Sequence, residues 1–366
     1  MKYYIIAGEA SGDLHGGNLI KALHATDPHA QIRCWGGDHM EAAGATVVKH
    51  FRDLAFMGFV EVLTHLRTIF SNIAFCKQDI ADFQPDVVVF IDYPGFNMRI
   101  AAWARQHGYK TAYYISPQVW AWKESRVAAL KRDVDKMIVI LPFEQPYFAG
   151  KQWEVAYVGH PLMEVVKYHR DNVAVVPLSD RPIIALLPGS RAQEIRLKLP
   201  IMLQAVRHFP EYAFVVAQAP AQPDSLYLDI IGKAPVQLVR NQTYNLLSQA
   251  KAALVTSGTA TLETALFGVP EVVCYKGNKI SYLLARQLVK VKYISLVNLI
   301  MDKPVVRELI QDDLNEKNIV EALSQLLAES PTLQLLRQDY TDLAKLLGTS
   351  RASAAAAKIV WELARA

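Results

Sequence analysis

The residue types best suited to binding a phosphate stand together near the middle of the chain. Gly189, Ser190 and Arg191 follow Ile183–Leu187, a short β-branched run that predicts a buried strand. The residues after Arg191 have a helical pattern, so the turn presents backbone N–H groups at a helix start, where the helix dipole favours an anion. Arg191 adds a planar guanidinium that matches phosphate oxygens. A phosphate site is one interpretation, and an ordinary turn with a surface arginine is the other.

A second strand-to-helix turn combines small residues with a carboxylate. After the apolar run 252–256 come Ser257, Gly258, Thr259, Ala260 and Thr261, with Glu263 two residues further on. Small residues at a helix start admit a phosphate, and both oxygens of a carboxylate accept hydrogen bonds, which suits a pair of ribose hydroxyls. The alternative is a capping box, in which Glu263 only braces the helix start.

An aspartate, Asp92, stands at the end of Val87–Ile91, the most apolar run in the chain. Partial desolvation at the mouth of a buried strand raises the pKa of a carboxyl group toward neutrality, as a general base requires. We therefore consider Asp92 a candidate base, ahead of His15. The alternative is that Asp92 only organises the turn that Pro94 and Gly95 begin.

The first strand-to-helix turn carries two acids and two glycines. Its residues are Gly8, Glu9, Ala10, Ser11, Gly12 and Asp13. The glycines let a ligand approach the backbone, but the spacing differs from the GxGxxG of dinucleotide-binding proteins. One interpretation is a tight turn in which Ser11 or Asp13 caps the helix. The position of Glu9 and Asp13 at the carboxyl end of a strand favours a catalytic role instead.

Strand and helix patterns alternate along nearly the whole chain, which predicts parallel sheets covered by helices. The predicted strands are 3–7, 31–35, 87–91, 110–115, 136–140, 154–158, 183–187, 213–217, 236–239, 252–256 and 271–275. Prolines between His160 and Pro182 mark a domain boundary. We expect an α/β protein with two Rossmann-like doubly wound domains facing a cleft, residues 1–165 and 180–345. Residues 346–366 are expected to form a helix that packs across the domains or onto a partner subunit.

The composition of the 366 residues argues against several classes of protein. The net charge of +4 is too small to indicate nucleic-acid binding. Three scattered cysteines without metal-ligand spacing are typical of reduced thiols in a cytoplasmic protein. The apolar run at the start is too short for a signal peptide, and none approaches the roughly 18 residues of a membrane span. Asp133 and Asp135 precede a predicted strand rather than follow one, so we expect no metal there.

Two stretches favour contact with a membrane surface. Between residues 56 and 75, apolar side chains exceed what one helix face buries, which indicates an exposed patch. The candidate membrane contacts in this stretch are Met57, Phe59, Val60, Leu63, Leu66 and Phe70. Residues 276–292 mix lysine and arginine with leucine and isoleucine in a basic amphipathic pattern, although most such runs are solvated faces.

A set of motifs occurs in one order along nearly the whole chain: Gly8–Asp13, Met57–Glu61, Asp92–Asn97, Ser116–Trp122, Gly159–Pro161, Leu187–Arg191, Ser257–Glu263 and Asn298. This ordered set resembles the lipid-A-disaccharide synthases, the inverting glycosyltransferases of bacterial lipid A. The resemblance spans nearly the whole chain and implies a GT-B fold with no metal or other cofactor. It implies that UDP-2,3-diacylglucosamine donates its sugar to 2,3-diacylglucosamine 1-phosphate (lipid X). The products would be the β-(1→6) disaccharide 1-phosphate and UDP.

The resemblance also implies roles for particular residues. Asp92 falls on the base, Arg191 on the phosphate-binding arginine, Glu263 on the ribose carboxylate and Asn298 on a further active-site position. Residues 56–70 correspond to the acyl-chain and membrane contact, and we add Ser11 to the acceptor contacts. The family exchanges its C-terminal segment between the subunits of a homodimer. The expected location is the cytoplasm, at the surface of the inner membrane.

This sequence departs from the family at three positions. Gly95 stands where the family commonly has Asp, so a second carboxylate near Asp92 is missing. Val297 stands where Pro is common and Asp312 where Glu is usual, which affects only local detail.

Two other functions remain open. One is a GT-B enzyme acting on UDP-N-acetylglucosamine, either a 2-epimerase or a transferase with a soluble acceptor. The other is a peripheral membrane protein that senses a nucleotide without turnover.

Overall fold

The apolar runs become the strands of two parallel sheets, one in each of two units of the chain. The computed structural model describes residues 1–54, 66–278, 291–348 and 351–366. The first unit comprises Met1–Pro161 and Gly348–Ala366, and the second comprises Leu162–Leu347. Among the described residues, no helix is long and apolar enough to cross a membrane.

The sheet of the first unit has the strand order β3-β2-β1-β4-β5-β6-β7. Its strands are Lys2–Ala7 (β1), Gln31–Gly36 (β2), Thr46–His50 (β3), Val87–Ile91 (β4), Lys110–Tyr114 (β5), Lys136–Val139 (β6) and Ala156–Tyr157 (β7). The described helices between them are Ala10–Thr26 (α1), Asp38–Ala42 (α2), Leu66–Phe83 (α3), Pro94–Gln106 (α4), Val127–Asp133 (α5) and Glu144–Ala149 (α6). All described strand pairs in this sheet are parallel.

The sheet of the second unit has the order β10-β9-β8-β11-β12-β13, again with parallel pairs. Its strands are Ile183–Leu187 (β8), Ala213–Gln218 (β9), Val236–Arg240 (β10), Ala250–Thr256 (β11), Glu271–Tyr275 (β12) and Arg307–Ile310 (β13). Its described helices are Leu162–Asn172 (α7), Ala192–Leu203 (α8), Asp224–Ile231 (α9), Thr243–Leu247 (α10), Thr259–Leu266 (α11), Leu296–Met301 (α12), Glu316–Leu327 (α13) and Pro331–Leu346 (α14). These two sheets confirm the predicted Rossmann-like class.

Two strands were missed in the sequence, β3 and β13, and both are edge strands. β3 is exposed or half-buried along its whole length, and β13 is only four residues long. An edge strand packs fewer neighbours, so its sequence needs no continuous apolar run. The predicted strands agree with β1, β2 and β4–β12 to within two residues at either end.

The strand order reverses direction at the same place in both sheets. In the first unit β1 pairs with β4, with Ala7 opposite Ile91. In the second unit β8 pairs with β11, with Leu187 opposite Val255. In open α/β sheets, ligands bind outside the carboxyl ends of the strands at such a switch point. Each sheet therefore carries its two candidate turns side by side.

The C-terminal helix, Ala352–Arg365, completes the first unit. Its buried side contains Ala356, Ala357 and Val360, all 0% exposed, and it packs mainly against α1. Lys110 Nζ donates a 3.3 Å hydrogen bond to the carbonyl oxygen of Ala364 near the end of this helix. Small side chains allow this close helix–helix packing, which explains the alanine-rich sequence.

Candidate active site

The turn after β4 holds Asp92 in an uncommon backbone conformation. Asp92 and Tyr93 have φ angles of 44° and 49°, and Ile115 after the neighbouring β5 has a φ of 66°. Such left-handed residues other than glycine cost of order 1–3 kcal/mol each, and they concentrate at functional sites. The Asp92 backbone N–H donates to the Ile115 carbonyl oxygen at 3.3 Å, which joins the two strand ends.

Two buried side chains fix the backbone of Asp92. Its carbonyl oxygen accepts a 2.6 Å hydrogen bond from the Tyr113 hydroxyl and a 2.8 Å bond from Asn97 Nδ2. Asn97 is 0% exposed, and its amide also reaches the carbonyl oxygens of Ile6 and Ile91. Asn97 therefore ties the ends of β1 and β4 to the Asp92 turn. The sequence analysis included Asn97 only as the last residue of the Asp92–Asn97 motif, without a role, and did not single out Tyr113. The signal in each case was a polar group on an otherwise apolar helix face or strand.

The side chain of Asp92 has the electrostatics expected of a base. Burial and, to a smaller extent, the nearby Glu9 carboxylate raise the pKa of its carboxyl group to about 6, although a hydrogen bond from the Tyr93 N–H opposes the rise. Glu9 occupies the N-cap position of α1 and is half-buried. The ring of Tyr93 covers Gly8, where an added Cβ would lie 2.6 Å from Tyr93 Cδ2. The two turns of the first unit thus meet, as their strand pairing requires.

Asp13 has a different environment from the one that the sequence suggested. It is 2% exposed, and its oxygens accept hydrogen bonds from the backbone N–H groups of Gly37, His39 and Met40 at 2.7, 3.1 and 3.1 Å. A carboxylate there neutralises the unpaired N–H groups at the start of α2. This geometry favours a structural role over the catalytic role expected from the sequence. Ser11, by contrast, lies exposed in the first turn of α1.

His15, the weaker candidate for a base, lies in α1 and is 5% exposed. Burial lowers the pKa of its imidazole to about 4, so the ring is neutral at pH 7. Its Nδ1 has no hydrogen-bond partner among the described residues. Burial on this scale leaves the ring little access to an acceptor hydroxyl.

In the second unit, the turn after β8 has the features of an anion site. Gly189 has a φ of 127°, a conformation that side chains rarely adopt. The backbone carbonyl oxygen of Ser190 accepts a 3.0 Å hydrogen bond from Gln222 Nε2. Arg191 is the N-cap residue of α8, and its side chain is 55% exposed. An accessible guanidinium therefore stands at the start of a twelve-residue helix.

The neighbouring turn after β11 is built from small residues held by local hydrogen bonds. The Ser257 hydroxyl donates to the Ile294 carbonyl oxygen at 2.7 Å, and the Thr261 hydroxyl donates to the Gly258 carbonyl oxygen at 2.8 Å. Gly258 has a φ of 145°, and an added Cβ would meet nothing within 4 Å. Thr259 and Ala260 begin α11 without a side-chain cap. The small-residue turn thus leaves open space at the start of α11.

Glu263 lies one turn into α11 and is held by an aromatic residue that the sequence did not indicate. The Tyr244 hydroxyl donates a 2.6 Å hydrogen bond to Glu263 Oε1. Burial raises the pKa of the Glu263 carboxyl group, and this hydrogen bond opposes the rise. Tyr244 itself packs against Phe267 and His169, with ring centroids 5.3 and 5.5 Å away. The capping-box alternative is wrong in this respect, because no side-chain cap is formed at the start of α11.

Asn298 is buried, and its side-chain amide is hydrogen-bonded within the second unit. It is 1% exposed, and its Nδ2 donates to the Val306 carbonyl oxygen and to Glu308 Oε1, both at 2.9 Å. Its Oδ1 accepts a 2.9 Å bond from the Val306 N–H. Both amide hydrogens are therefore used in joining α12 to β13, which favours a structural role for Asn298. Glu308 also accepts the N–H groups of Ile294 and Ser295, so it organises the segment that holds Ser257.

Most of the expected acyl-chain contacts lie outside the described residues. These are Met57, Phe59, Val60 and Leu63; of Leu66 only the backbone, the first residue of α3, is described. Phe70 lies on α3 and is 63% exposed, and Phe75 on the same helix is 47% exposed. Most of the basic amphipathic stretch, residues 279–290, also lies outside the described residues.

Asp133 and Asp135 lie at the amino end of β6. Each pairs with an arginine, Arg132 at 2.6 Å and Arg105 at 2.5 Å. In the described part of the chain, no cluster of three or more histidine, cysteine or acidic residues has metal-site geometry.

Two solved structures show the class of fold. The UDP-GlcNAc 2-epimerase from Neisseria meningitidis bound to UDP-GlcNAc matches with a TM-score of 0.67 at 13% identity, covering 99% of this chain and 100% of that chain. The calicheamicin glycosyltransferase matches with a TM-score of 0.63 at 18% identity, covering 99% and 97%. The fold is thus that of the GT-B enzymes, with the candidate residues at the switch points of both sheets.

The sequence comparisons then identify the family. The family model for lipid-A-disaccharide synthetase matches residues 3–362. A lipid-A-disaccharide synthase from Syntrophus aciditrophicus is 38% identical over 370 residues, covering 98% of this chain and 97% of its own length. This chain belongs to the lipid-A-disaccharide synthetase family, and it is a glycosyltransferase.

Proposed function

We propose that the protein transfers a diacylglucosamine unit from UDP-2,3-diacylglucosamine to lipid X with inversion at the anomeric carbon. The observation that carries the proposal is Asp92, an aspartate with a raised pKa on a backbone fixed by Asn97 and Tyr113 at a sheet switch point. The family match supports the reaction, since it extends over residues 3–362. The donor and acceptor are therefore UDP-linked and phosphate-bearing acylated sugars.

The first unit supplies the base. The acceptor's 6-hydroxyl is almost entirely protonated at neutral pH, so a positioned group must take its proton as the oxygen attacks. Asp92 takes that proton while the new carbon–oxygen bond forms on the face of the sugar opposite UDP. A carboxyl group with a pKa of about 6 is mostly ionised at pH 7, yet it is more basic than an exposed aspartate. Glu9 keeps this pKa high through its negative charge.

The second unit binds the donor. The diphosphate lies at the turn of Gly189, Ser190 and Arg191 and at the small-residue turn, Ser257–Thr261. As the bond between the anomeric carbon and the diphosphate breaks, negative charge grows on UDP, and the Arg191 guanidinium stabilises it. Glu263 accepts hydrogen bonds from the ribose hydroxyls, with Tyr244 holding its Oε1. We propose that no metal takes part, so turnover should persist in excess EDTA.

Association with the inner-membrane surface is the third part of the proposal. Phe70 and Phe75 expose apolar area on α3, and Trp122 is 43% exposed. Lys123 Nζ lies 4.3 Å from the centre of the Trp122 ring and the Arg126 guanidinium lies 5.5 Å from it. Aromatic rings and cations together favour the interface of an anionic bilayer. Residues of this kind suit a cytoplasmic enzyme whose two substrates carry acyl chains.

We also propose a homodimer in which the C-terminal helix is exchanged. The helix is an amphipathic segment that covers α1 within one chain, with Ala352, Ala356, Ala357 and Val360 buried. An identical surface on a second copy would accept it equally well, which is the basis of domain swapping. Light scattering during gel filtration distinguishes the dimer from the monomer.

A single assay separates this function from its rivals. The full chain is incubated with lipid X and with UDP-diacylglucosamine or, as the matched control, UDP-N-acetylglucosamine, and UDP and the lipid product are measured. The proposal predicts UDP release and disaccharide formation with the acylated donor only. A 2-epimerase would instead convert UDP-N-acetylglucosamine without lipid X, and a nucleotide sensor would release no UDP. Either result would overturn the proposed function.

A further inference from the structure

A lysine occupies the core-facing side of the helix that follows the phosphate turn. Lys198 is 2% exposed, although it lies on α8 among Ile195, Leu199 and Met202, which are all 0% exposed. Burying an ammonium group carries a large desolvation cost unless other groups compensate, and an apolar side chain would avoid that cost. A lysine at this position therefore calls for a function.

The partners of Lys198 adjoin the two turns that we assign to the donor site. Its Nζ donates to the hydroxyl of Thr256, the last residue of β11 and the neighbour of Ser257. Its Nζ also lies 3.9 Å from Glu194 Oε2. Glu194 packs against the other turn, because an added Cβ at Gly189 would lie 2.9 Å from the Glu194 Cβ. Lys198 thus contacts the strand end that leads into one turn, and it reaches the other turn through Glu194.

The charges around Lys198 are arranged for an anion. Glu194 Oε1 lies 3.9 Å from Arg191 NH1, so one carboxylate stands between two cations. The side chains of Arg191, Glu194 and Lys198 together carry a net charge of +1 when Lys198 is protonated. Burial lowers the pKa of Lys198, whereas the Glu194 carboxylate raises it. Without the lysine charge, the same group would be neutral, because Glu194 would cancel the charge of Arg191.

We propose that Lys198 is a positioning residue of the donor site, whose buried ammonium holds Thr256 and Glu194 and makes the two turns electropositive toward a diphosphate. The inference rests on the proposed function, because it concerns the site assigned to UDP. Because its side chain is almost fully buried, Lys198 does not contact the diphosphate itself; it acts on the diphosphate through Glu194 and Thr256. An ammonium in a poorly solvated position acts strongly on a nearby anion.

Two substitutions separate the charge of Lys198 from its hydrogen bond. Lys198→Met removes both, and Lys198→Gln removes the charge but keeps a donor for Thr256. Binding of UDP and of uridine to the full chain is measured by calorimetry. We expect both variants to lose roughly tenfold or more in UDP affinity, while uridine affinity changes by less than about twofold, because uridine has no phosphate. Lys233→Met, an exposed position in the same unit, is the matched control and should bind UDP normally.

A rescue experiment tests the charge argument directly. In the double variant Lys198→Met with Glu194→Gln, the net charge of the group returns to +1, so UDP affinity should recover in part. Equal losses of UDP and uridine affinity, unchanged UDP affinity, absence of rescue, or unfolding of both single variants would each overturn the inference. If the unsubstituted protein fails to bind UDP, the proposed function itself is wrong; if it binds UDP and the Lys198 variants bind it equally well, only this inference fails.

Discussion

The Tyr244 hydroxyl donates a 2.6 Å hydrogen bond to Oε1 of Glu263, the carboxylate that we assign to the ribose. Because the bond fixes the carboxylate, Tyr244→Phe should weaken uridine binding. A typical hydrogen bond contributes about 0.5–1.5 kcal/mol, or roughly twofold to tenfold in affinity. Calorimetry with uridine checks this, and Tyr212→Phe, also in the second unit, is the control. Unchanged uridine affinity in Tyr244→Phe would argue against the role of Glu263.

Arg191→Ala should impair use of the donor severely. The guanidinium stabilises charge that develops on the leaving diphosphate, and losing such a group typically costs about 10²–10³-fold in kcat. Arg191→Lys should restore only part of the activity, because a point charge does not reproduce the planar fork. Steady-state kinetics with the acylated donor measures both. Arg196→Ala, at an exposed position of the same helix, is the control; equal activity in the two alanine variants would remove Arg191 from the site.

Phe70→Ser should reduce binding to vesicles of anionic phospholipid while leaving UDP affinity unchanged. Phe70 is 63% exposed, so the substitution removes apolar area from the surface rather than from the core. Fully burying such a side chain in an apolar environment contributes about 1.5–3 kcal/mol, which corresponds to a decrease of roughly tenfold or more in partitioning. Leu335→Ser, 60% exposed on α14, is a control of similar exposure. If both variants bind vesicles like the unsubstituted protein, α3 does not contact the membrane.

Gly95→Asp should be accepted by the fold and should raise the pH at which activity appears. Gly95 is in the first turn of α4, and an added Cβ meets nothing within 4 Å. A carboxylate at a helix start is favourable by about 0.3–1 kcal/mol, so the melting temperature should rise. Its negative charge should raise the pKa of Asp92, which shifts the acidic limb of kcat/KM upward. If the acidic limb of the kcat/KM profile does not shift in Gly95→Asp, a charge at position 95 does not interact with Asp92.

The central strands and the turns after them were predictable because buried parallel strands need continuous apolar runs. The turns of Asp92, Arg191 and Glu263 follow β4, β8 and β11 in the structure as they do in the sequence analysis. The edge strands β3 and β13 escaped detection because their half-exposed positions impose no such pattern.

Roles that depend on distant partners were not predictable. Asp13 looks like a catalytic acid in its motif, but its three hydrogen bonds come from residues 37–40, on another element. Asn298 falls on an active-site position of the family, but its side-chain amide donates hydrogen bonds to Val306 and Glu308. Lys198 carried a signal that was overlooked, since it interrupts the apolar face of α8. Tyr244 carried no signal in the sequence, because its hydrogen bond to Glu263 joins two helices, α10 and α11, that are separated by β11.

The pH profile and its loss in Asp92→Asn test the central claim most directly. Burial and the neighbouring Glu9 raise the pKa of the Asp92 carboxyl group to about 6, so the active, ionised base appears as the pH rises through that value. The kcat/KM of the unsubstituted protein should therefore rise through about pH 6 and level off above it. The same raised pKa means that ionisation of Asp92 reduces stability as the pH rises from about 4 to about 6, and the loss persists above pH 6, so replacing it with neutral asparagine should not lower the melting temperature at neutral pH.

The measurement is kcat for Asp92→Asn, with lipid X and the acylated donor both saturating, compared with His15→Ala. Asparagine keeps the size and turn-forming ability of aspartate but cannot take the proton. The account predicts a loss of about 10²–10⁴-fold in kcat, disappearance of the acidic limb and unchanged UDP affinity. A kcat within a few-fold of the unsubstituted enzyme, or a larger loss in folded His15→Ala, would contradict the assignment of Asp92 as the base.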